Sequence, residues 1–272
     1  MDNIIFELND VYFSYLGKFL ALSGINLKVI QGQKIGIIGA NGSGKSSFLQ
    51  ILNGLIFADS GKVNFCGQEL NEKIFRENKF SQDFRRRVGF VFQNPDVQLF
   101  CPTVKDDIVF GPLQLGFEKS QIEKRLEKIV VTLGIQELLN RCPYQLSIGE
   151  KRKVAIASTL IIEPEILILD EPTAGLDPLT TRQIIDLLIK ANADGKTIIT
   201  ATHDLHIVEE IADVVYVFNH EKKVAKFGHA EDILNDLELL KANNLVHIHS
   251  HKHKAMAHVH PHVHLDHHTE EN

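Results

Sequence analysis

The residues able to do chemistry in this chain gather in a few short runs. One is GANGSGKS, Gly39 to Ser46, which follows the apolar run KIGII and precedes SFLQILNGL. A glycine-rich turn between a strand and a helix points several backbone N–H groups into one concavity, with the helix N-terminus behind them, and so holds a polyphosphate. Gly39, Asn41, Gly42, Ser43, Gly44 and Ser47 belong to that cradle. Lys45 is placed to reach the β- and γ-phosphates, and the Ser46 hydroxyl to coordinate the Mg²⁺ that bridges them. Glycine is required where a Cβ would block the backbone's approach to a phosphate or forbid a positive φ.

Further runs supply groups for phosphoryl chemistry. EILILDEP carries four apolar residues and then Asp170 and Glu171. At the strand tip Asp170 would hold Mg²⁺ through water, while Glu171, pointing the other way along the pleat, would accept a proton from an attacking water. The apolar run of VGFVFQNPD ends at Gln93, a neutral amide suited to touching Mg²⁺ or orienting that water, or else simply exposed. KTIITATHD reads as a buried strand ending in His203, which either hydrogen-bonds a γ-phosphate oxygen or serves as a satisfied structural histidine. In LSIGEKRK, Ser147 reads as a helix N-cap and Gly149 as the residue that admits a phosphate to the first free N–H groups. The alternative there is a plainly capped amphipathic helix with Lys151, Arg152 and Lys153 in solvent. Tyr15, in the polar SYLGK turn, either stacks on a nucleobase or packs on a sheet edge.

These residues need a scaffold, and the patterning describes one. Residues 4 to 30 alternate apolar and polar positions, which predicts short antiparallel strands ahead of the cradle. A helix from about Lys45 to Leu52 should follow the cradle, and a strand around Lys62 to Phe65. Residues 70 to 87 are charged without clear period, which predicts a solvated loop or short helix. From Thr103 to about Leu160 the pattern is helical. Ser120 with Glu123 reads as a capping box, Ile122, Leu126, Ile129, Val130 and Leu133 trace one face, and Gly134 stops the helix. ILIL and TIIT read as strands buried on both faces, with a helix beginning near Pro178 between them.

Composition narrows the class. The 272 residues, 44% hydrophobic, allow one large or two small domains with a sizeable core. A net charge of −6 gives no basic field for nucleic acid. No apolar run is long enough to span a bilayer. The acidic start, MDNIIFELND, has no pattern of a secretory signal. Cys66, Cys101 and Cys142 are widely spaced and odd in number, which suits a reducing cytosol and neither a disulfide frame nor a zinc site.

From His247 onward the chain holds ten of its fourteen histidines. Such a run cannot bury a core. Neutral imidazoles at His247, His249, His251, His253, His258, His260, His262 and His264 can converge on Zn²⁺, Ni²⁺, Co²⁺ or Cu²⁺, and the interleaved Lys, Ala, Val, Pro and Asp distinguish the run from a cloning tag. A merely solubilising end is the alternative.

Taken in order, GANGSGKS, Gln93, LSIGE, ILILDE, AGLD (Ala174 to Asp177) and His203 resemble the ATP-binding subunit of an ATP-binding cassette (ABC) transporter over about residues 4 to 240. The resemblance implies an α/β fold, a RecA-like P-loop NTPase core with an N-terminal antiparallel β subdomain and an inserted α-helical subdomain. It implies Mg²⁺-dependent ATP hydrolysis in a head-to-tail dimer, each ATP lying between one subunit's phosphate loop and the other's signature motif. By that resemblance Tyr15 stacks on adenine, Lys45 and Ser46 are the phosphate-loop pair, Gln93 the Mg²⁺ and lid glutamine, and Asp170 and Glu171 the metal and base carboxylates. Asp177 belongs to the dimer-contact loop, His203 is the switch histidine, and Ser147 and Gly149 contact the γ-phosphate across the interface. The usual signature is LSGGQ, so Ile148 and Glu150 depart from it, and Glu150 brings negative charge near the site.

QNPDVQLFCPTVKDDIVFGP, from Gln93, further resembles the ATPases of energy-coupling-factor (ECF) importers, with Val97 departing at one acid. In that group the segment around Gln98 lies near the Mg²⁺ end of the site. The resemblance implies a transmembrane coupling component, a substrate-capture membrane component and a peripheral position on the cytoplasmic face of the membrane. A homodimer suits the complete motif set. The expectation is an ATPase domain over 1–246, with its helical subdomain at about 98–160, followed by a His-rich tail over 247–272. The cargo expected is a transition metal, nickel or cobalt. Alternatives are a vitamin-type ECF importer, a soluble ABC ATPase without transport and a metal store. About 100 residues separate Lys45 from Ser147, too few for a long coiled-coil insert.

Overall fold

The computed structural model describes residues 3–248 and 261–262. Elements follow in the order β1 (Ile4–Tyr15), β2 (Phe19–Ile30), β3 (Lys34–Gly39), α1 (Lys45–Leu52), β4 (Ser60–Phe65), β5 (Gln68–Glu69), α2 (Glu72–Phe75), α3 (Asn78–Arg87) and β6 (Val88–Val91). Then come α4 (Val104–Gln114), α5 (Lys119–Leu133), α6 (Ile148–Leu160), β7 (Ile166–Asp170), α7 (Pro178–Ala193), β8 (Thr197–Ala201), α8 (Leu205–Ile211), β9 (Val214–Phe218), β10 (Val224–His229), α9 (Ala230–Leu234) and α10 (Leu237–Ala242).

Two sheets form. The antiparallel one runs β2-β1-β4-β5, and the other runs β10-β9-β3-β8-β7-β6. In the second sheet β3, β6, β7, β8 and β9 are parallel and only β10 is antiparallel. Parallel strands carry helices on both faces and are buried throughout, which is why ILILD and TIITA show no alternation. Their C-terminal ends share one edge of the sheet, where ligands of open α/β sheets bind. The fold is thus α/β, as expected, with an antiparallel sheet beside a mainly parallel one and helices α4 to α6 inserted between β6 and β7.

Two expectations need correction. Residues 78–87 form a helix, one of the two forms expected, but it is not simply solvated, because Phe84 is wholly buried beside Phe65, Phe75 and Phe80. Three consecutive arginines on that helix each find a separate partner: Arg85 donates to the Asn53 carbonyl, Arg86 to the Leu115 carbonyl and Arg87 to Glu165. The Ser120–Glu123 capping box does not form. Helix α5 begins at Lys119 with Glu118 as its N-cap and no side-chain cap bond. Phe117, packed under the guanidinium groups of Arg86 and Arg125, fixes where the chain turns into the helix and leaves Ser120 inside the first turn. The buried face is as expected, with Ile122, Leu126, Val130 and Leu133 inside and Gly134 stopping the helix at φ 64°.

Candidate functional site

The cradle is built where β3 hands over to α1. Gly42 and Gly44 adopt φ of 75° and 106°, open without strain only to glycine. A Cβ at Gly39 would meet the Phe218 carbonyl and the Ser43 hydroxyl, each at 2.6 Å, so close packing against β9 demands glycine there too. Lys45 is buried and its Nζ donates to the Gly39 carbonyl at 2.7 Å and the Ala40 carbonyl at 3.3 Å. Burial pulls its pKa below the usual lysine value, while Glu171 and Asp170 oppose that and favour the charged form.

Above this loop lies a cavity of 510 Å³ lined on one side by the cradle and on the others by Tyr15, Gln93, Asp170, Glu171 and Lys222. Asn41, Gly42, Ser43, Gly44, Lys45, Ser46 and Ser47 all line it, whereas Gly39 supports it from beneath through the Lys45 bond. Tyr15 hydrogen-bonds the Ser47 hydroxyl at 3.0 Å and packs edge-on against Phe13 at 4.9 Å, and the residue is 41% exposed where it lines the cavity.

Asp170 is the last residue of β7, and both it and Ser46 line the cavity, the Ser46 hydroxyl favouring the ionised form of the carboxylate. Its Oδ1 is buried without a hydrogen-bond partner among the described residues. Burial raises its pKa above the ordinary carboxylate range and the nearby Glu171 adds to the shift, while Ser46, Lys45 and Arg152 oppose it. An orphaned carboxylate oxygen beside a serine hydroxyl fits a hard divalent cation, and Ser46 and Asp170 would hold Mg²⁺ there, with Gln93 at the cavity wall.

Glu171 is not placed by strand alternation as expected. The strand stops at Asp170, and Glu171 takes φ 47° while its N–H donates to the Ala201 carbonyl on β8 at 2.8 Å. That left-handed backbone costs about 1–3 kcal/mol in general and turns the side chain toward His203. Glu171 Oε1 meets His203 Nδ1 at 2.9 Å. This hydrogen bond raises the His203 pKa, partly offset by burial and by Lys45. Asp170, Glu171 and His203 therefore converge only because β7 and β8 are parallel neighbours.

Gln93 follows β6 at the same sheet edge and lines the cavity. Gln98 does not line it: its Nε2 donates to the Ala155 carbonyl, Ser158 and Thr159 on α6, and its Oε1 accepts from the Phe92 N–H.

Ser147, Gly149 and Asp177 lie elsewhere. They line a separate cavity of 230 Å³, so one chain does not bring its signature motif to its own phosphate loop. Ser147 caps α6 as expected, and Glu150 completes a capping box by accepting from the Ser147 N–H at 2.8 Å and its hydroxyl at 2.9 Å. Those bonds hold the Glu150 carboxyl below the usual range. Asp177 caps α7 through Thr180, which also depresses its pKa. Ile148 is 55% exposed at the rim.

Two residues escaped the sequence reading. Lys222, in the turn between β9 and β10, lines the nucleotide-sized cavity and donates to the Gly42 carbonyl. Its setting, NHEKKVAKF, is ordinary charged turn sequence with no local signal. Arg152, to which the sequence reading gave no role and which its alternative placed in solvent, is 2% exposed. The tail positions His249, His251, His253, His258, His260 and His264 lie outside the described residues. For His247 and His262 only the backbone is described, in a two-residue pairing of His247–Ile248 with Pro261–His262. No helix among the described residues is long and apolar enough to cross a membrane.

Comparison with known proteins agrees with this geometry. The family model described as "ABC transporter" matches residues 22–174. The nickel import ATP-binding protein NikO of Rhodobacter capsulatus is 46% identical over 244 residues, covering 89% of this chain and 95% of that protein. The energy-coupling factor transporter ATP-binding protein EcfA of Methanocaldococcus jannaschii is 41% identical over 241 residues, covering 89% and 85%. Among solved structures, CbiO1 of Clostridium perfringens, part of an ABC transporter complex CbiONQ, superposes with a TM-score of 0.74 at 36% identity, over 90% of this chain and 96% of that one. The chain therefore belongs to the ABC transporter family as an ATP-binding subunit, an ATPase coupled to transport that uses ATP and Mg²⁺ and resembles the ATPases of ECF-type importers.

Proposed function

We propose that this subunit hydrolyses ATP in a head-to-tail homodimer and powers uptake of a transition-metal ion, nickel or cobalt, through separate transmembrane and substrate-capture components. The observation that carries the dimer is the separation of the Ser147–Gly149 cavity from the phosphate-loop cavity in one chain. A second copy facing the first would bring the N-terminus of α6, with its positive end and free N–H groups, onto the γ-phosphate. The cargo assignment draws on the likeness to a nickel import ATPase and on the histidines of the tail, which would bind the same class of metal. In this reading residues 1–246 are the ATPase domain, the segment of about 98–160 its helical subdomain, and the subunit sits peripherally on the cytoplasmic face of the membrane.

The chain's own residues divide the work. Lys45 and the cradle N–H groups hold the β- and γ-phosphates, and Tyr15 offers its ring to the base. Mg²⁺, when bound by Ser46, Asp170 and Gln93, supplies positive charge to the phosphate oxygens. Glu171 accepts the proton of the attacking water, and His203 orients Glu171 and donates toward the γ-phosphate. Most of the acceleration comes from this preorganised positioning, since phosphoryl transfer asks little covalent chemistry of the protein.

Uptake of labelled nickel and cobalt by cells co-expressing this chain with its membrane components, with Glu171→Gln as control, tests the reading. Accumulation of one metal that the variant abolishes supports it. ATP hydrolysis without accumulation of either metal removes the cargo assignment. The second reading is then a vitamin-type ECF importer, favoured by the likeness to EcfA.

A further inference from the structure

The glutamine loop, residues 92–98, is fastened to the signature helix by side chains from both. Arg152, one turn into α6, is 2% exposed and donates Nη1 to the Phe92 carbonyl at 2.7 Å and Nη2 to the Gln93 carbonyl at 2.6 Å. Gln98 ties the Phe92 N–H to the α6 residues Ala155, Ser158 and Thr159. At the surface Lys151 pairs with Asp96 at 2.7 Å.

Arg152 is unusual among these contacts. A buried guanidinium is ordinarily matched to a carboxylate, yet this one forms no ion pair within 4.0 Å among the described residues, and its Nε has no partner. Its fork instead spans two consecutive backbone carbonyls. That use needs the planar, two-pronged donor of arginine, because an ammonium is a point charge that cannot fix two carbonyls in one plane. The second of those carbonyls belongs to Gln93, whose residue forms part of the cavity wall beside Asp170.

We propose that Arg152 is a positioning residue: from the signature helix it fixes the backbone of Gln93 and thereby sets where the Gln93 amide stands in the nucleotide cavity. The proposal rests on the reading of Gln93 as a working group of that cavity. It also makes α6 a two-ended element. Its N-terminus presents Ser147 and Gly149 at one cavity, and its second turn holds Gln93 at the other.

A double-mutant cycle on the full-length protein tests this, with kcat and KM for ATP measured for wild type, Gln93→Ala, Arg152→Lys and the double variant. Arg152→Lys keeps the charge and loses the fork, and should lower kcat about 10- to 100-fold with KM for ATP little changed, since the phosphate loop is untouched. In the Gln93→Ala background the same substitution should change kcat less than about twofold, because the effect passes through Gln93. Equal losses in both backgrounds would mean that Arg152 acts structurally, or on Asp170 and Glu171, and would overturn the proposal. Wild-type kcat in Gln93→Ala with a loss in Arg152→Lys would overturn the reading of Gln93 and the proposal with it; a loss in Gln93→Ala and none in Arg152→Lys would overturn the proposal alone. Hydrogen exchange on the wild type keeps the question open to test if Arg152→Lys fails to fold. The bonded amides of Phe92, Val97 and Gln98 should exchange well below free-loop rates, and exchange at free-loop rates would overturn the anchor.

Discussion

Glu171 Oε1 and His203 Nδ1 stand 2.9 Å apart, the carboxylate buried and the imidazole half exposed, at the C-terminal ends of two adjacent parallel strands. A carboxylate so held can take a proton from water on its cavity side while its other oxygen is steadied by the ring. Glu171→Gln should retain ATP binding, since the cradle is unchanged, and lose turnover by about 10²–10⁴-fold. Parallel measurement of nucleotide binding and steady-state phosphate release checks this, and turnover near wild type would remove Glu171 as the base.

The same pair predicts a pH dependence. The bond to Glu171 raises the His203 pKa above its ordinary 6.5, so the pair's contribution to stability is fully present below that value and is lost as pH rises through the folded-state pKa. Because His203 is half exposed, the contribution is held to under about 1 kcal/mol by solvent screening. The gap in melting temperature between wild type and His203→Gln should narrow as pH is raised from 6 toward 9. A gap that widens would contradict the assignment.

Gly44→Ala should abolish nucleotide binding. Its φ of 106° is strained for any L side chain, and an added Cβ would collide with the Ala21 carbonyl. The strain costs roughly 1–3 kcal/mol, so the chain should still fold while the cradle deforms. Circular dichroism with a nucleotide-binding titration separates the two effects.

Glu150 departs from the family's usual glutamine, yet its carboxylate is occupied by the Ser147 N–H and hydroxyl. Glutamine at this position also completes a capping box. Glu150→Gln should therefore leave stability within about 0.5 kcal/mol and kcat within about twofold. Ser147→Ala, in contrast, removes the cap at a cost of about 1 kcal/mol, read from the denaturation midpoint.

The cysteines should differ in reactivity. Cys66 is exposed, whereas burial and the neighbouring Asp107 push the Cys101 thiol up to about 11. A thiol reagent at pH 8 should label Cys66 well before Cys101, as peptide mapping of the first modified site would show, because the thiolate is the nucleophile.

Much of this protein is decided locally and is therefore legible in its sequence. Gly42 and Gly44 of the phosphate loop are demanded by backbone conformation. ILILD and TIITA are buried on both faces, so their apolar runs and polar ends mark strands and sheet edge alike. Ser147 and Glu150 cap a helix by bonds within one turn, a pattern three residues long. Tertiary structure decided the rest, wherever a side chain's surroundings come from a distant part of the chain. Glu171 is aimed by the Ala201 carbonyl across the β7–β8 pairing, a bond that no pleat rule contains. Arg152 has nothing in its local sequence to distinguish it from a solvated helix charge until the segment after β6 supplies two carbonyls. Lys222 sits in an ordinary charged turn and reaches the site only because β9 lies beside β3, which sets that turn against Gly42.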